Sequence, residues 1–261
     1  MSGALDAIAS RKRGEVEQLR CAEAALWAKA ESMPTGRDFA VIRDGAVIAE
    51  MKRRSPSGGM LRPELDALTL GSGYANAGAA AISVLTDGPD FGGSLDDLAA
   101  VRTAVDIPLL RKDFTVDPVQ IAEARVAGAD WVLLIVSILD VDSLDNCLAG
   151  AARCGAHAVV EVHDVDEARV AVAAGATCIG INNRDLGSLR TDVATFARVR
   201  ATLPDRILCI AESGVRSAAD VTRLVGEGAD AVLMGEVLMR AESPAALCAE
   251  MVAAGRAAGG S

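Results

Sequence analysis

Lysine is scarce in this sequence. Of 26 cationic residues only Lys12, Lys29, Lys52 and Lys112 are lysines, and the rest are arginines. Arginine keeps its proton near neutral pH, whereas a partly buried lysine can release one. Two of the four lysines close apolar runs: Lys52 ends AVIAEMK (46–52) and Lys112 stands in IPLLRKDF (107–114). Glu50, two residues before Lys52, points to the same side of an extended strand. Other apolar runs also end in polar groups. VVEVHD brings Glu161, with His163 beyond it, and GINNRD brings Asn182 and Arg184. IAESG brings Ser213 and Gly214, and LMGE brings Gly235 and Glu236. Two amines, carboxylates, an amide, a guanidinium and a hydroxyl fit general acid–base work on a small polar substrate. Apolar walls raise a carboxyl pKa and a neighbouring lysine lowers it, so Glu50 and Glu161 could divide acid and base roles in either order. His163 reads as a loop cap. The competing reading of the lysines is structural, with Lys52 paired to Glu50 or Glu161.

Such a convergence needs elements that end in one place. A Gly-Ala step followed by an apolar strand recurs in AGAAAISVLTD, AGADWVLLIV, CGAHAVVEVHD, AGATCIGINNRD and EGADAVLMGE. Its leading glycines are Gly78, Gly128, Gly155, Gly175 and Gly228, spaced by 50, 27, 20 and 53 residues. If each long gap hides one unit, the repeat is about 25 residues. IPLLRKDF and RILCIAES (206–213) fill the gaps, and AVIAEMK at the front makes eight strands. The strands are almost uninterrupted apolar runs, as in parallel sheets covered on both faces. Between them lie helical stretches that begin at Asp or Ser and end at Gly, which suit the N-cap and C′ positions. Eight such units make an α/β chain of the TIM-barrel class, a (β/α)8 barrel, with an open doubly wound sheet as the rival. Residues 1–45 read as an N-terminal helical extension packed on the barrel and 46–261 as the barrel, one domain overall. Active sites of this architecture form where strands end, and loops seven and eight commonly bind phosphate. The glycines of SPSGG, ESG and MGE would let backbone amides approach one.

Composition narrows the partners. Formal net charge is −10 and aromatics are 3%, against a nucleic-acid groove or a polybasic membrane patch. A small anion remains possible where a few cations gather. The six cysteines form no C-x-x-C pair and read as thiols in a reducing cytoplasm. Two histidines and no Cys/His cluster argue against zinc. GSGYANAG (71–78) has the wrong spacing for a dinucleotide fingerprint. The N-terminal stretch lacks the apolar segment of a signal peptide, and no run is long enough to span a membrane. The expectation is a cytoplasmic monomer or weak homo-oligomer without cofactor.

Taken together, IAEMKRRSPSGG, GAAAISVLTD with FGGSLDDL, LLRKDF, QIAEARVAGADWVLLI, VVEVHD, GINNRDL, IAESGV and LMGEVLM closely resemble the indole-3-glycerol-phosphate synthase family. The resemblance runs from about residue 4 to about 255. It implies ring closure of 1-(o-carboxyphenylamino)-1-deoxyribulose 5-phosphate to indole-3-glycerol phosphate, carbon dioxide and water, with no cofactor or metal. It makes Lys112 the general acid at the ketone and Lys52 a second proton donor or a carboxylate-binding cation. Glu161 becomes the acid/base for loss of the hydroxyl, and Glu50 a base or the partner of Lys52. Asn182, Arg184 and Ser213 would hold substrate hydroxyls and the carboxylate region. Pro56, Phe91, Phe114, Leu133 and Leu186 would face the aryl ring. Phosphate would rest on Ser55, Gly214, Gly235 and the backbone N–H of Glu236. The chain departs from the usual pattern at Gly58, Val119, Ser188, Leu189 and Val237, which touches the phosphate loops and no proposed catalytic side chain. Another sugar-phosphate isomerase or lyase, or a non-catalytic barrel, are the alternative functions.

Overall fold

The alternation read from the sequence closes on itself. The computed structural model describes residues 4–185, Gly187 and residues 189–260. Eight parallel strands form a closed barrel. They are β1 (Ala46–Met51), β2 (Ala81–Leu85), β3 (Leu109–Lys112), β4 (Trp131–Ile135), β5 (His157–Val162), β6 (Cys178–Asn182), β7 (Leu208–Glu212) and β8 (Ala231–Met234). Ala46 lies opposite Ala231 and Ile48 opposite Ala81, so β1 joins the last strand to the second. The competing open sheet is thereby excluded. No helix among the described residues is long and apolar enough to cross a membrane.

Local chemistry sets the element ends. Ser94, Asp140, Asp164 and Ser217 each accept a backbone N–H from the first turn of the helix they precede, and Ser217 with Asp220 completes a capping box. The glycines that lead the Gly-Ala steps all take positive φ, the left-handed geometry of a helix C′ position. The repeat phrase is thus the end of one helix followed by the start of the next strand.

Strand alternation sorts the core in two. Val47, Ala49, Val84, Leu109, Val132 and Ile179 face the surrounding helices. Ile48, Ala81, Leu110, Trp131, Val159, Cys178, Ile210 and Ala231 fill the barrel interior. This inner plug is apolar at the N-terminal end of the strands except for His157, whose ring packs edge-on against Phe39, and the charged groups on the same faces emerge at the opposite end.

The N-terminal helix α1 (Ala4–Leu19) is followed by a 3-10 turn and α2 (Glu23–Glu31). Lys12, buried on α1, lies 2.8 Å from Asp113 and 3.1 Å from Asp87, the residues just beyond β3 and β2. Burial disfavours the Asp113 carboxylate, but Arg111 and Lys12 outweigh it and bring its pKa down to about 2 from 3.8. That folded value lies below the unfolded one, so the stabilisation is present above pH 3.8 and disappears as pH falls through 2. Lys12→Met, which strips a cation from two buried carboxylates, is expected to cost about 3 kcal/mol at pH 7. In urea titrations the gap to the parent should narrow below about pH 4; a gap that is absent at pH 7 would show the Lys12 ion pairs to be idle.

Candidate active site

A cavity of about 1020 Å³ opens at the C-terminal ends of the strands. It is lined by Glu50, Lys52, Lys112, Glu161, Asn182 and Ser213, and by Ser55, Pro56, Phe91, Phe114, Leu133, Arg184, Gly214, Gly235 and Glu236. These residues come from all eight strands or the loops after them, and the barrel brings them to one mouth. Leu186, read from the sequence as an aryl contact, lies outside the described residues, as does Ser188.

Two ion-paired groups face each other across the mouth. Lys52 Nζ donates to Glu50 Oε1 at 2.5 Å, so the two charges that end β1 hold each other. Lys112 Nζ donates to Glu161 Oε2 and to Glu212 Oε2, both at 2.7 Å. Asn182 Nδ2 donates to Glu161 Oε1 at 3.1 Å. His163 is no simple loop cap: Nε2 stands 3.3 Å from the same Glu161 oxygen, while Nδ1 lies 2.9 Å from Glu167.

These contacts set the charges. Burial opposes the charge on Lys112, but Glu161, Glu212 and Glu50 prevail and raise its pKa above the ordinary lysine value. A partly buried lysine could release its proton easily; here the surrounding carboxylates hold the amine protonated instead. Burial also works against the Glu161 carboxylate, yet Lys112 and His163 hold it well below the usual carboxylate range. Glu212 goes the other way: burial, reinforced by the charge of Glu161, pushes its carboxyl up to about 7 despite Lys112.

Glu212 lines the cavity and bonds Lys112, and it is absent from the residues expected there from the sequence. Ser213 is the hydroxyl after β7, but alternation from inward Ile210 puts Glu212 on the inner face. Ser213 is one residue out of that phase and reaches the cavity because its φ is +64°, a left-handed turn before Gly214. Leu5 and Ile8 of α1 also line the cavity, beside Phe91 and Phe114, whose rings are 6.1 Å apart. Nothing in the spacing of Leu5 and Ile8 separates a lining role from ordinary helix packing. At the loops after β6 and β8, Arg184 Nη2 lies 3.9 Å from Glu236, whose carboxylate accepts from Arg240 at 3.0 Å.

Comparison with known proteins fits this arrangement. The family model for indole-3-glycerol phosphate synthase matches residues 5–251. The chain belongs to that family. An indole-3-glycerol phosphate synthase from Parafrankia sp. is 50% identical over 235 residues, covering 89% of this chain and 88% of that one. The indole-3-glycerol phosphate synthase of Roseiflexus sp. is 47% identical over 255 residues, covering 92% and 95%. The activity is accordingly that of an indole-3-glycerol phosphate synthase, a carboxy-lyase of tryptophan biosynthesis. Solved structures share the fold at much lower identity. A thiamine phosphate pyrophosphorylase from Pyrococcus furiosus has a TM-score of 0.64 at 15% identity, covering 84% of this chain and 98% of that one. The 3-hexulose-6-phosphate synthase from Salmonella typhimurium gives 0.65 at 17%, covering 82% and 99%. Proteins of other names thus share this barrel at low identity, and the fold alone does not assign a chemistry.

Proposed function

We propose that the ring closure is driven by Lys112 and completed by the two glutamates that hold it. The observation that carries this reading is one ammonium bonded at 2.7 Å to both Glu161 and Glu212 in the floor of the cavity. The aryl carbon that bears the carboxylate attacks the ketone carbon, and the carbonyl electron pair moves to oxygen. Lys112 gives that oxygen a proton. The carbon–carboxylate bond then breaks, its electron pair restores the aromatic ring, and carbon dioxide leaves. In the last stage a carboxyl gives a proton to the new hydroxyl, which departs as water. A carboxylate removes the adjacent ring proton to form the indole double bond. Two protons are given and one is taken, so the reaction draws one proton from solvent. Each well-placed acid of this kind contributes about 10²–10⁴-fold.

The other residues position the substrate. Lys52, paired with Glu50, would take up the substrate carboxylate until carbon dioxide forms. Phe91, Phe114, Leu133 and Pro56, with Leu5 and Ile8, would enclose the aryl ring. Arg184 and the backbone around Gly214, Gly235 and Glu236, with Ser55, would receive the phosphate. Asn182 orients Glu161, and Ser213 would meet a substrate hydroxyl. The acidic charge and the free cysteines fit an enzyme of the reducing cytoplasm.

The direct test supplies 1-(o-carboxyphenylamino)-1-deoxyribulose 5-phosphate and follows indole fluorescence. Product should accumulate with no added metal or cofactor. Folded protein that forms none would refute the reading, and a sugar-phosphate isomerase on the same barrel would take its place.

A further inference from the structure

The two carboxylates on Lys112 are unequal. Glu161 accepts from Lys112 at 2.7 Å on one oxygen and from Asn182 at 3.1 Å on the other, and His163 Nε2 stands 3.3 Å from that second oxygen as an ion pair without a hydrogen bond. Glu212 meets Lys112 on Oε2, while its Oε1 is buried without a hydrogen-bond partner. Two donors and a neighbouring ring cation favour the anion; a bare buried oxygen favours the neutral acid.

His163 supplies much of the difference. It follows β5 and does not line the cavity. Its Nδ1 lies 2.9 Å from Glu167 Oε2, and its backbone N–H donates to that same oxygen at 2.8 Å. Glu167 sits in the first turn of the helix Val165–Ala173, whose start is capped by Asp164. Each ring nitrogen faces a carboxylate, one from its own strand and one from the helix behind it. The adjoining 3-10 turn Val136–Ile138 brings no charged residue, and Lys112 lies beyond Glu161. Burial opposes charge on the ring, but Glu161 and Glu167 raise its pKa to about 10, so it is an imidazolium at neutral pH.

We propose that His163 is a positioning residue: clamped by Glu167, it fixes Glu161 as the permanent anion of the site and leaves Glu212 as the carboxyl that carries the exchangeable proton. The proposal rests on the assignment of the chemistry to Lys112 and the two glutamates, and it divides their labour. Glu161 holds Lys112 charged and oriented. Glu212 gives its proton to the departing hydroxyl, which leaves as water, and is left as the carboxylate that can take the ring proton.

The test uses protein labelled with carboxyl-13C glutamate, with resonances assigned through Glu161→Gln and Glu212→Gln. In the parent, Glu212 should titrate near 7 and Glu161 should stay ionised below pH 4.5. In His163→Gln the neutral-range titration should divide between both carboxyls. In that variant kcat should fall about tenfold, the equivalent of one pK unit, with KM within twofold. Glu167→Gln should move both readouts the same way by less, and it carries the test alone if His163→Gln folds poorly. A Glu161 that remains silent in both variants overturns the proposal, as does a parent in which Glu212 is ionised throughout. Glu161→Gln separates the two levels of argument. If it keeps the parent's kcat, the assignment beneath the proposal is wrong. If it loses activity while the histidine variants titrate as the parent does, only the role of His163 fails.

Discussion

Lys112→Ala is expected to lower kcat by about 10³-fold, within the range of a lost general acid. The amine is held protonated by three carboxylates, so it is loaded but is a weak acid among them. Donation becomes favourable only when the ketone oxygen turns into an alkoxide, a far stronger base. The proton therefore moves in the transition state and not before, which is where an acid accelerates a reaction. Lys112→Arg separates charge from proton transfer. Arginine can stay between Glu161 and Glu212 and keep the site neutralised, but it does not give up its proton. The arginine variant should unfold near the parent's temperature and still lose most of kcat. The alanine variant should be less stable at pH 8, where the carboxylates repel, and closer to the parent at pH 5.5, where one can take up a proton. Arginine activity above about a tenth of the parent's would mean that Lys112 acts through its field alone.

The barrel was legible in the sequence because its period is written twice, in the Gly-Ala steps and in the capping Asp and Ser residues before the helices. Each feature reflects a local requirement: a left-handed residue to end a helix, or an oxygen to accept the first free amides. Most of the mouth was legible for a related reason. Inner faces that begin with Ile48, Leu110 or Val159 must stay apolar in the plug, so the first polar residue in the same phase, Glu50, Lys112 or Glu161, marks the cavity. The rule applies equally to Ile210 and Glu212, and Glu212 was missed because the reading stopped at the hydroxyl that follows it. The contribution of α1 was not legible at all. Leu5 and Ile8 reach the cavity on a helix that Lys12 and Arg11 tie to Asp87, Asp90 and Asp113, residues of two different loops. No local pattern encodes that meeting. Nor does the sequence distinguish Glu161 from Glu212, since what separates them is the number of donors around each.

Gly180→Ala is expected to cost about 10²-fold in kcat, the share of one displaced acid–base group, with little loss of stability. Gly180 lies on the inner face of β6, between Cys178 and Asn182. A Cβ there would overlap Oε1 of Glu212 and come within 3.3 Å of Val159. The backbone at Gly180 is ordinary strand, so alanine fits it without strain. The obstacle is the far end of a flexible side chain, which can swing aside and leave the fold intact. What it cannot do is stay on Lys112. Glu161 would remain bonded to the ammonium while Glu212 turned toward the cavity and its water. The titration near 7 should then fall toward the ordinary carboxylate range, because burial is what holds it high. Adding Glu212→Asp, which withdraws the carboxyl by one methylene, should recover part of kcat. Full activity in Gly180→Ala would mean that the place of Glu212 is immaterial, and its role as proton carrier would fall with it. Gly235 stands in the same relation to Glu50, whose carboxylate a Cβ there would also overlap. Two inward glycines thus make room for two carboxylates, so the missing side chains are as much a part of the site as the charged ones.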